Sequence, residues 1–233
     1  MSVKDMNIRK LHPWNITPRE AAAVQERLYP LLNLERISGT VRNVAGVDVS
    51  FSRGSDIIWA GVVVFSFPEM KKLEEEWIRE HTRFPYIPGM LSFREIPGII
   101  EALKKLRIDP DLILCDGQGI AHPRGVGLAS HLGLILDRPT IGCAKSRLIG
   151  WFSEVGSTRG DYSRLLHNGR VIGAALRTRT GVKPMFISPG NRITLKQSLR
   201  IVMECCLKYR IPEPIRQAHM LVSRRRQIEE TVS

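Results

Sequence analysis

The sequence predicts an α/β protein built on a single mixed sheet. Three strand-like segments follow one another with short connections, at residues 41–51, 57–67 and 73–83, and strands joined in this way form an antiparallel meander. After them, helix-like and strand-like patterns alternate, which is typical of parallel strands connected by helices. We therefore expect three antiparallel strands, then parallel strands, with helices flanking the sheet.

The composition is that of an ordinary globular protein. Of the 233 residues, 43% are hydrophobic and 25% charged, which fits one domain with a sizeable core. We expect a lead-in at residues 1–16, one domain at residues 17–226 and a charged tail at residues 227–233. The four cysteines form no Cys-x-x-Cys pair, so neither a disulfide framework nor a zinc site is predicted. No signal peptide or membrane-spanning run is visible, and we expect a cytoplasmic monomer with no membrane partner.

The charge of the chain favours a polyanionic partner. The formal net charge is +12 and the pI is about 10.0. A strongly basic balance of this kind is typical of proteins that bind nucleic acid. The alternative that the charge leaves open is a generally basic soluble protein.

The first helix is predicted from its N-terminal cap. Thr17, Pro18 and Glu20 supply a capping threonine, a proline at the first helical position and a glutamate three residues after the cap. The helix should extend to about residue 32. Its apolar face is expected to contain Ala21, Val24, Leu28 and Leu31.

The first strand, at residues 41–51, carries a carboxylate among apolar residues. Gly46, Asp48 and Ser50 alternate with apolar side chains, so the two sets point to opposite faces of the sheet. A buried aspartate is costly and needs a partner or a cation. Asp48 is therefore either a structural residue bonded to a backbone or arginine donor, or part of a functional site.

A stiff loop follows the third strand, whose charges of both signs suggest a sheet edge. Its residues are Pro85, Tyr86, Ile87, Pro88 and Gly89. Such a segment continues neither a strand nor a helix. A rigid loop with an aromatic tip on a basic protein resembles the wedges that separate stacked bases. The alternative is a hydrophobic loop packed on its own domain.

The next helix, expected at residues 92–106, leaves Glu95 with two interpretations. Ser92 and Glu95 match a capping box, in which the glutamate only closes the start of the helix. In the other interpretation, which rests on the family resemblance given below, its carboxylate belongs to an acidic cluster.

Residues 112–115 are a short apolar run that predicts a buried strand, and Asp116 follows it directly. A Gly-rich turn at residues 117–119 comes next, and ligands of open α/β sheets usually bind at such strand ends. The turn passes Arg124 and enters a helix expected at residues 126–136. A basic residue beside the free backbone N–H groups at a helix start favours binding of phosphate. The alternative for Asp116 is a turn residue that hydrogen-bonds its own backbone.

Lys145 is expected at the same edge of the sheet. Residues 138–145 read as a short strand that ends on this lysine, so the topology places Lys145 near Asp116. A solvated surface lysine is the alternative.

The C-terminal part is predicted as an irregular segment, a hairpin and two helices. The expected segments are residues 150–168, the hairpin 171–177 with 184–188, a helix at 194–209 and a last helix from residue 212. His219 shares the apolar face of the last helix, so its side chain is predicted to point inward. A satisfied core histidine is the alternative to a site residue.

Asp48 and Asp116 predict a metal site if their strands are neighbours. Two close carboxylates repel each other unless a cation lies between them, and hard oxygen ligands select Mg²⁺ or Mn²⁺. Such a cation activates water and offsets charge on a phosphate oxygen. Together with the basic surface, this predicts phosphodiester hydrolysis.

Four blocks of the sequence resemble the endonuclease V family, the deoxyinosine 3′-endonucleases. The blocks, in family order, are residues 44–51, 85–89 with 91–95, 116–124 and 142–145, and the similarity covers about residues 17–220. The resemblance implies an RNase H-like fold and Mg²⁺-dependent nicking, with Mn²⁺ as a substitute, of DNA that holds a deaminated base. The family cuts the second phosphodiester bond 3′ to the lesion and leaves 3′-hydroxyl and 5′-phosphate ends, a DNA repair activity.

The resemblance also implies a role for each matching residue. Asp48 and Asp116 would hold the metal. Glu95 would complete the acidic cluster, His219 would lie beside it, and Lys145 would steady the phosphate or the attacking water. The implied DNA contacts are the wedge Tyr86 with Pro85, Ile87, Pro88 and Gly89, and Gly117 and His122 at the lesion pocket.

Three functions are consistent with these observations. The first is a lesion-specific DNA endonuclease, and the second is an RNase H-like nuclease acting on inosine-containing RNA or branched nucleic acid. The third is a non-catalytic binding protein that uses only the basic surface. The paired aspartates disfavour the third, because binding phosphate requires no carboxylates.

Overall fold

The computed structural model describes residues 6–35, 37, 39–52 and 54–232. Its strands are β1 (Asn43–Phe51), β2 (Ile57–Ser66), β3 (Lys72–His81), β4 (Leu112–Cys115), β5 (Thr140–Ala144), β6 (Tyr162–His167), β7 (Arg170–Leu176) and β8 (Met185–Asn191). Its helices are α1 (Pro18–Leu28), α2 (Leu91–Lys104), α3 (Leu128–Leu136), α4 (Leu195–Cys205) and α5 (Glu213–Val232), with a 3₁₀ turn at Tyr29–Leu31.

The strands form one mixed sheet in the order β3-β2-β1-β4-β5-β8-β7-β6. The first three strands are antiparallel neighbours, and β1, β4 and β5 lie parallel to one another, which confirms the predicted mixed α/β class. The prediction that residues 150–168 are irregular is wrong in part, since β6 lies within them and forms the far edge. This strand exposes Tyr162 and Arg164, so it lacks the apolar run that would have revealed it.

Both faces of the sheet are covered by helices. On one face α2 and α3 enclose a cluster that includes Val47, Ile99 and Leu132, and on the other α4 and α5 enclose one that includes Leu114 and Val202. Strands buried on both faces read as continuous apolar runs, which is why residues 112–115 were recognisable. Among the described residues, no helix is long and apolar enough to cross a membrane.

The first helix begins as predicted, with Thr17 and Glu20 forming a capping box. Three of the four residues expected on its apolar face are buried, but Leu31 is exposed, because the chain tightens into a 3₁₀ turn before reaching it. Phe84 and Phe93 pack against the buried face of α1.

The lead-in and the charged tail both have described structure. In the lead-in, residues 1–5 lie outside the described residues, while Met6, Ile8, Leu11 and Trp14 pack against the core without forming a helix or strand. The domain limit predicted at residue 226 falls inside α5, which continues to Val232.

The α4 helix ends at Cys205, earlier than the predicted residue 209. The four cysteines are buried and unpaired.

Candidate active site

Asp48 and Asp116 lie side by side because β1 and β4 are parallel neighbours. Val47 pairs with Cys115, and the two aspartates follow in the same register. Their side chains are only 11% and 13% exposed. Three atoms lie within 4.8 Å of one another: one carboxylate oxygen of each aspartate and one ring nitrogen of His219. The predicted adjacency of the two carboxylates is therefore confirmed.

His219 reaches this pair from α5, which packs closely on β1 and β2. The approach requires glycine: a Cβ at Gly46 would lie 2.1 Å from the Pro214 carbonyl carbon, and one at Gly61 would lie 2.6 Å from Val222. The His219 Nδ1 atom hydrogen-bonds Asp48 Oδ2 at 2.7 Å, and this bond raises the pKa of His219.

The prediction that His219 points inward is wrong. Ile215, Ala218 and Val222 on the same helical face are buried, but the His219 side chain is 54% exposed. At this position the His219 ring hydrogen-bonds the Asp48 carboxylate of β1 instead of entering the core. The core-histidine alternative is therefore excluded, and the ring lies at the rim of the acidic pair.

Lys145 follows β5 and forms an ion pair with Asp116 Oδ2. The strand-end argument therefore places it correctly, and its side chain remains partly exposed on the outer side. Lys145 lowers the pKa of Asp116, but burial and the neighbouring Asp48 outweigh it, so the pKa of Asp116 is raised overall.

The capping interpretation of Glu95 is wrong. The α2 helix begins at Leu91, its N-cap residue is Met90, and no side chain caps it. The Ser92 hydroxyl instead hydrogen-bonds His131 Nδ1 at 3.0 Å. Burial, followed by repulsion from Asp48 and Asp116, raises the pKa of Glu95 to about 8. Glu95 thus belongs electrostatically to the acidic cluster.

The donor set fits a hard divalent cation. It offers two adjacent carboxylates and a third carboxyl that interacts with both, and burial followed by mutual repulsion raises the pKa of Glu95 and of Asp116. Oxygen-rich clusters of this type bind Mg²⁺ or Mn²⁺. Asp48 and Asp116 would hold such an ion.

A cavity of about 410 Å³ opens beside the acidic cluster. Its wall includes the predicted residues Tyr86, Pro88, Gly89, Glu95, Asp116, Gly117, His122 and Lys145. Of the other predicted site residues, Asp48, His219, Pro85 and Ile87 are not part of this wall. A concave site that joins titratable groups to apolar surface is the usual form of a ligand pocket.

The loop between β3 and α2 has a packed base and an exposed tip. Its base packs on the domain, where Phe84 is buried and Ile87 contacts the cluster around α1. Its tip does not pack in this way, because Tyr86 is 54% exposed. The Tyr86 ring lies 5.5 Å from the ring of Phe51, at the end of β1, between centroids.

His122 ties this loop to the turn that follows Asp116. Its Nε2 donates to the Gly89 carbonyl at 2.8 Å, and its Nδ1 accepts from the Arg124 N–H at 3.2 Å. Burial lowers the pKa of His122 to about 4, so the ring is neutral. Gly89 has φ +80, a conformation that favours glycine.

Several cavity residues escaped the sequence reasoning. They are Gln25, Leu91, Ser92, Gln118, Gly127, Leu128, Ala144, Ser146, Arg147 and Leu148. Residues 146–148 directly follow Lys145, so the strand-end argument extends to them. Gln25 offered a different signal, since it is a polar residue next to Val24 on the apolar side of α1.

Comparison with known proteins points to one family. A family model described as Endonuclease V matches residues 27–220. Endonuclease V of Trichormus variabilis is 48% identical over 221 residues, which cover 94% of this chain and all of that protein.

Two solved structures agree with this result. Endonuclease V of Bacillus subtilis aligns with a TM-score of 0.92 at 32% identity, covering 98% of this chain and 100% of that one. Endonuclease V of Ciona intestinalis, in complex with a 24mer DNA containing an inosine followed by a ribo-adenosine, aligns with a TM-score of 0.79 at 31% identity, covering 91% and 98%.

Proposed function

This chain belongs to the endonuclease V family, and from that premise we propose that it is a Mg²⁺-dependent DNA repair endonuclease. It nicks DNA at the second phosphodiester bond 3′ to deoxyinosine and related deaminated bases, and leaves 3′-hydroxyl and 5′-phosphate ends. The observation that carries the proposal is the meeting of Asp48, Asp116 and His219 beside a cavity that the exposed Tyr86 overhangs. The inosine-containing DNA bound to the Ciona relative supports the substrate.

Asp48 and Asp116 hold the cation in this proposal, with Mn²⁺ as a substitute for Mg²⁺. When bound, the ion activates the attacking water and offsets the charge that develops on the phosphate. His219 holds the Asp48 carboxylate in place through the hydrogen bond from Nδ1. Lys145, which is partly exposed next to Asp116, steadies the phosphate or the attacking water.

Recognition of the lesion is assigned to the cavity and the loop above it. Tyr86 enters the gap left by the displaced base, and displacement is cheapest for a weakly paired base such as hypoxanthine. Gly117 and His122 border the pocket. Both ring nitrogens of His122 are already bonded within the protein, so His122 shapes the pocket by holding Gly89 rather than by reading the base.

A nicking assay tests the proposal. The protein is incubated with Mg²⁺ and end-labelled duplexes that carry one inosine, one guanine at the same position, or one inosine in an RNA strand. A single nick 3′ to inosine in DNA is expected, and EDTA should abolish it. Equal cutting of the guanine duplex, or cutting of RNA alone, favours the alternative nuclease, and retention without cutting favours a binding protein.

Asp48→Ala should abolish the nick and leave salt-sensitive binding of DNA intact, because phosphate contacts supply most of the affinity. Asp56→Ala is the matched control, since Asp56 is an exposed carboxylate paired only with His81 among the ion pairs of the described residues. Nicking by Asp48→Ala at the wild-type rate would remove this aspartate from the metal site.

A further inference from the structure

Gln25 is a buried polar residue that the proposed mechanism does not use. It lies in α1 and is 0% exposed, in a helix whose other buried residues are Ala21, Val24 and Leu28. A buried amide is costly unless its donors and acceptor are satisfied. The partners of Gln25 therefore indicate why a glutamine occupies this position.

Three hydrogen bonds use both ends of the Gln25 amide. Nε2 donates to the Gly89 carbonyl and to the Val126 carbonyl, each at 3.0 Å. Oε1 accepts from Arg124 Nε at 2.7 Å. Arginine is only a donor, so this contact fixes which end of the amide faces Arg124.

These bonds join two of the segments that line the proposed lesion pocket. Gly89 ends the loop that carries Tyr86, whereas Arg124 and Val126 belong to the turn that follows Asp116 and leads to α3. The Gly89 carbonyl accepts a second hydrogen bond, from His122 Nε2 at 2.8 Å. One carbonyl of the wedge loop, residues 84–90 with Tyr86 at the tip, is thus held by both α1 and the turn.

The helix α1 braces the same turn through packing. A Cβ at Gly125, where φ is +68, would lie 2.2 Å from the Tyr29 ring, so the residue after α1 covers the turn closely. Phe84, Ile87 and Met90 of the wedge loop belong to the apolar cluster around α1. The polar contacts of Gln25 therefore lie within a rigid contact between α1, the loop and the turn.

We propose that Gln25 is a positioning residue for lesion recognition: its amide fixes the Tyr86 loop and the turn at residues 122–126 in one relative orientation, so that the pocket is formed before DNA binds. This inference rests on the proposed function. A preformed site binds more tightly because less conformational freedom is lost on binding. Gln25 lies on a different element from Asp48, Asp116, Lys145 and His219, so its removal should affect recognition more than chemistry.

Two variants separate the contacts. Gln25→Met is close in shape and removes all three hydrogen bonds, whereas Gln25→Glu keeps the acceptor for Arg124 and removes both donors. We expect KM for the inosine duplex to rise at least about tenfold in Gln25→Met, with kcat at saturating DNA within about twofold of the wild type. Gln25→Glu should show the same kind of change, because both variants lose the hydrogen bond from Gln25 to the Gly89 carbonyl and leave only the one from His122.

Asn191→Leu is the matched control. Asn191 is also a buried amide that joins separate segments, accepting from the Asn33 N–H and donating to the Gly133 carbonyl. It pairs with Thr140 at the start of β5, the end of that strand opposite Lys145. This variant should lower thermal stability while leaving KM and the preference for inosine over guanine unchanged.

Hydrogen exchange of the DNA-free proteins supplies a readout that needs no activity. Exchange should accelerate at residues 86–90 and 122–126 in both Gln25 variants and stay at the wild-type rate there in Asn191→Leu. Wild-type KM and unchanged exchange in Gln25→Met would overturn the inference, as would an equal rise of KM in Asn191→Leu. Failure of the wild type to nick inosine DNA would refute the proposed function instead, and the exchange result would still decide the role of Gln25.

Discussion

Replacing Glu95 by glutamine should stabilise the metal-free protein and impair cleavage. The carboxyl of Glu95 is held near Asp48 and Asp116, and burial together with these two charges raises its pKa from 4.5 to about 8. Glutamine has nearly the same shape and cannot ionise. The variant therefore removes the repulsion and also one carboxylate of the acidic cluster.

The sign and size of the effect follow from the two pKa values. The unfolded chain releases the Glu95 proton near pH 4.5, whereas the folded protein retains it up to about pH 8, so stability falls as pH rises between these values. Each pKa unit corresponds to about 1.4 kcal/mol. Glu95→Gln should then be more stable than the wild type by at most about 4 kcal/mol at pH 8, and by about 1 kcal/mol or less at pH 5.

Thermal and urea unfolding in EDTA, at several values of pH from 5 to 8, measure this difference. Glu101→Gln is the matched control, because Glu101 is an exposed carboxylate on the same helix paired with Lys104. Added Mg²⁺ should stabilise the wild type more than Glu95→Gln, since the ion binds the complete cluster more tightly. Nicking of the inosine duplex should fall in Glu95→Gln and remain normal in Glu101→Gln.

Two outcomes would refute this reasoning. If Glu95→Gln were less stable than the wild type at pH 8 in EDTA, the three carboxyl groups would not repel one another as the geometry requires. If the variant nicked inosine DNA at the wild-type rate, Glu95 would not belong to the catalytic cluster.

Two further predictions concern the cavity to which we assign lesion recognition. Because burial lowers the pKa of His122 from 6.5 to about 4, the stability that this neutral ring supplies is complete above pH 6.5 and is lost as pH falls towards 4. The loss is at most about 3 kcal/mol. Because Glu95 contributes a pH dependence of opposite sign, urea unfolding should compare His122→Gln with the wild type at each pH: the variant should gain up to about 3 kcal/mol relative to the wild type between pH 6.5 and pH 4, and a constant difference would contradict the assignment. Tyr86→Ala should weaken binding of the inosine duplex about tenfold or more, since stacking on an aromatic ring contributes about 1–3 kcal/mol per base. Binding titrations measure this with Tyr162→Ala as control, because Tyr162 is equally exposed on the edge strand β6; equal losses in both variants would count against a wedge.

The meeting of Asp48 and Asp116 was within reach of the sequence because the strand patterns constrain the sheet. The run at residues 112–115 is apolar on both faces and needs a covered position between two neighbours. The third strand of the meander is charged and suits only an edge. The other outer strand of the meander is β1, so β4 pairs with β1. This pairing brings the two aspartates together.

His219 and Glu95 show where local patterns are insufficient. Helical spacing groups His219 with Ile215, Ala218 and Val222, but burial depends on what lies opposite. Opposite His219 is the Asp48 carboxylate of β1, which the ring hydrogen-bonds while staying half exposed. The Ser92–Glu95 spacing matches a capping box with Ser92 as the N-cap, yet the N-cap is Met90, two residues earlier, and Ser92 bonds His131. Both outcomes depend on contacts between residues far apart in the sequence, which no local rule contains.

Like charges do not gather unless the backbone is prevented from separating them, and the close packing around the Asp116 turn explains how this is achieved. A Cβ at Gly119 would lie 2.1 Å from the Pro189 carbonyl oxygen, and one at Gly142 would lie 2.2 Å from the Gly119 nitrogen. The turn is therefore in backbone contact with β5 and β8 and has no room to retreat from Asp48. The scaffold thus holds the carboxyl groups together against their repulsion. In the proposed function, the binding free energy of the cation would then serve to offset that charge rather than to order the site.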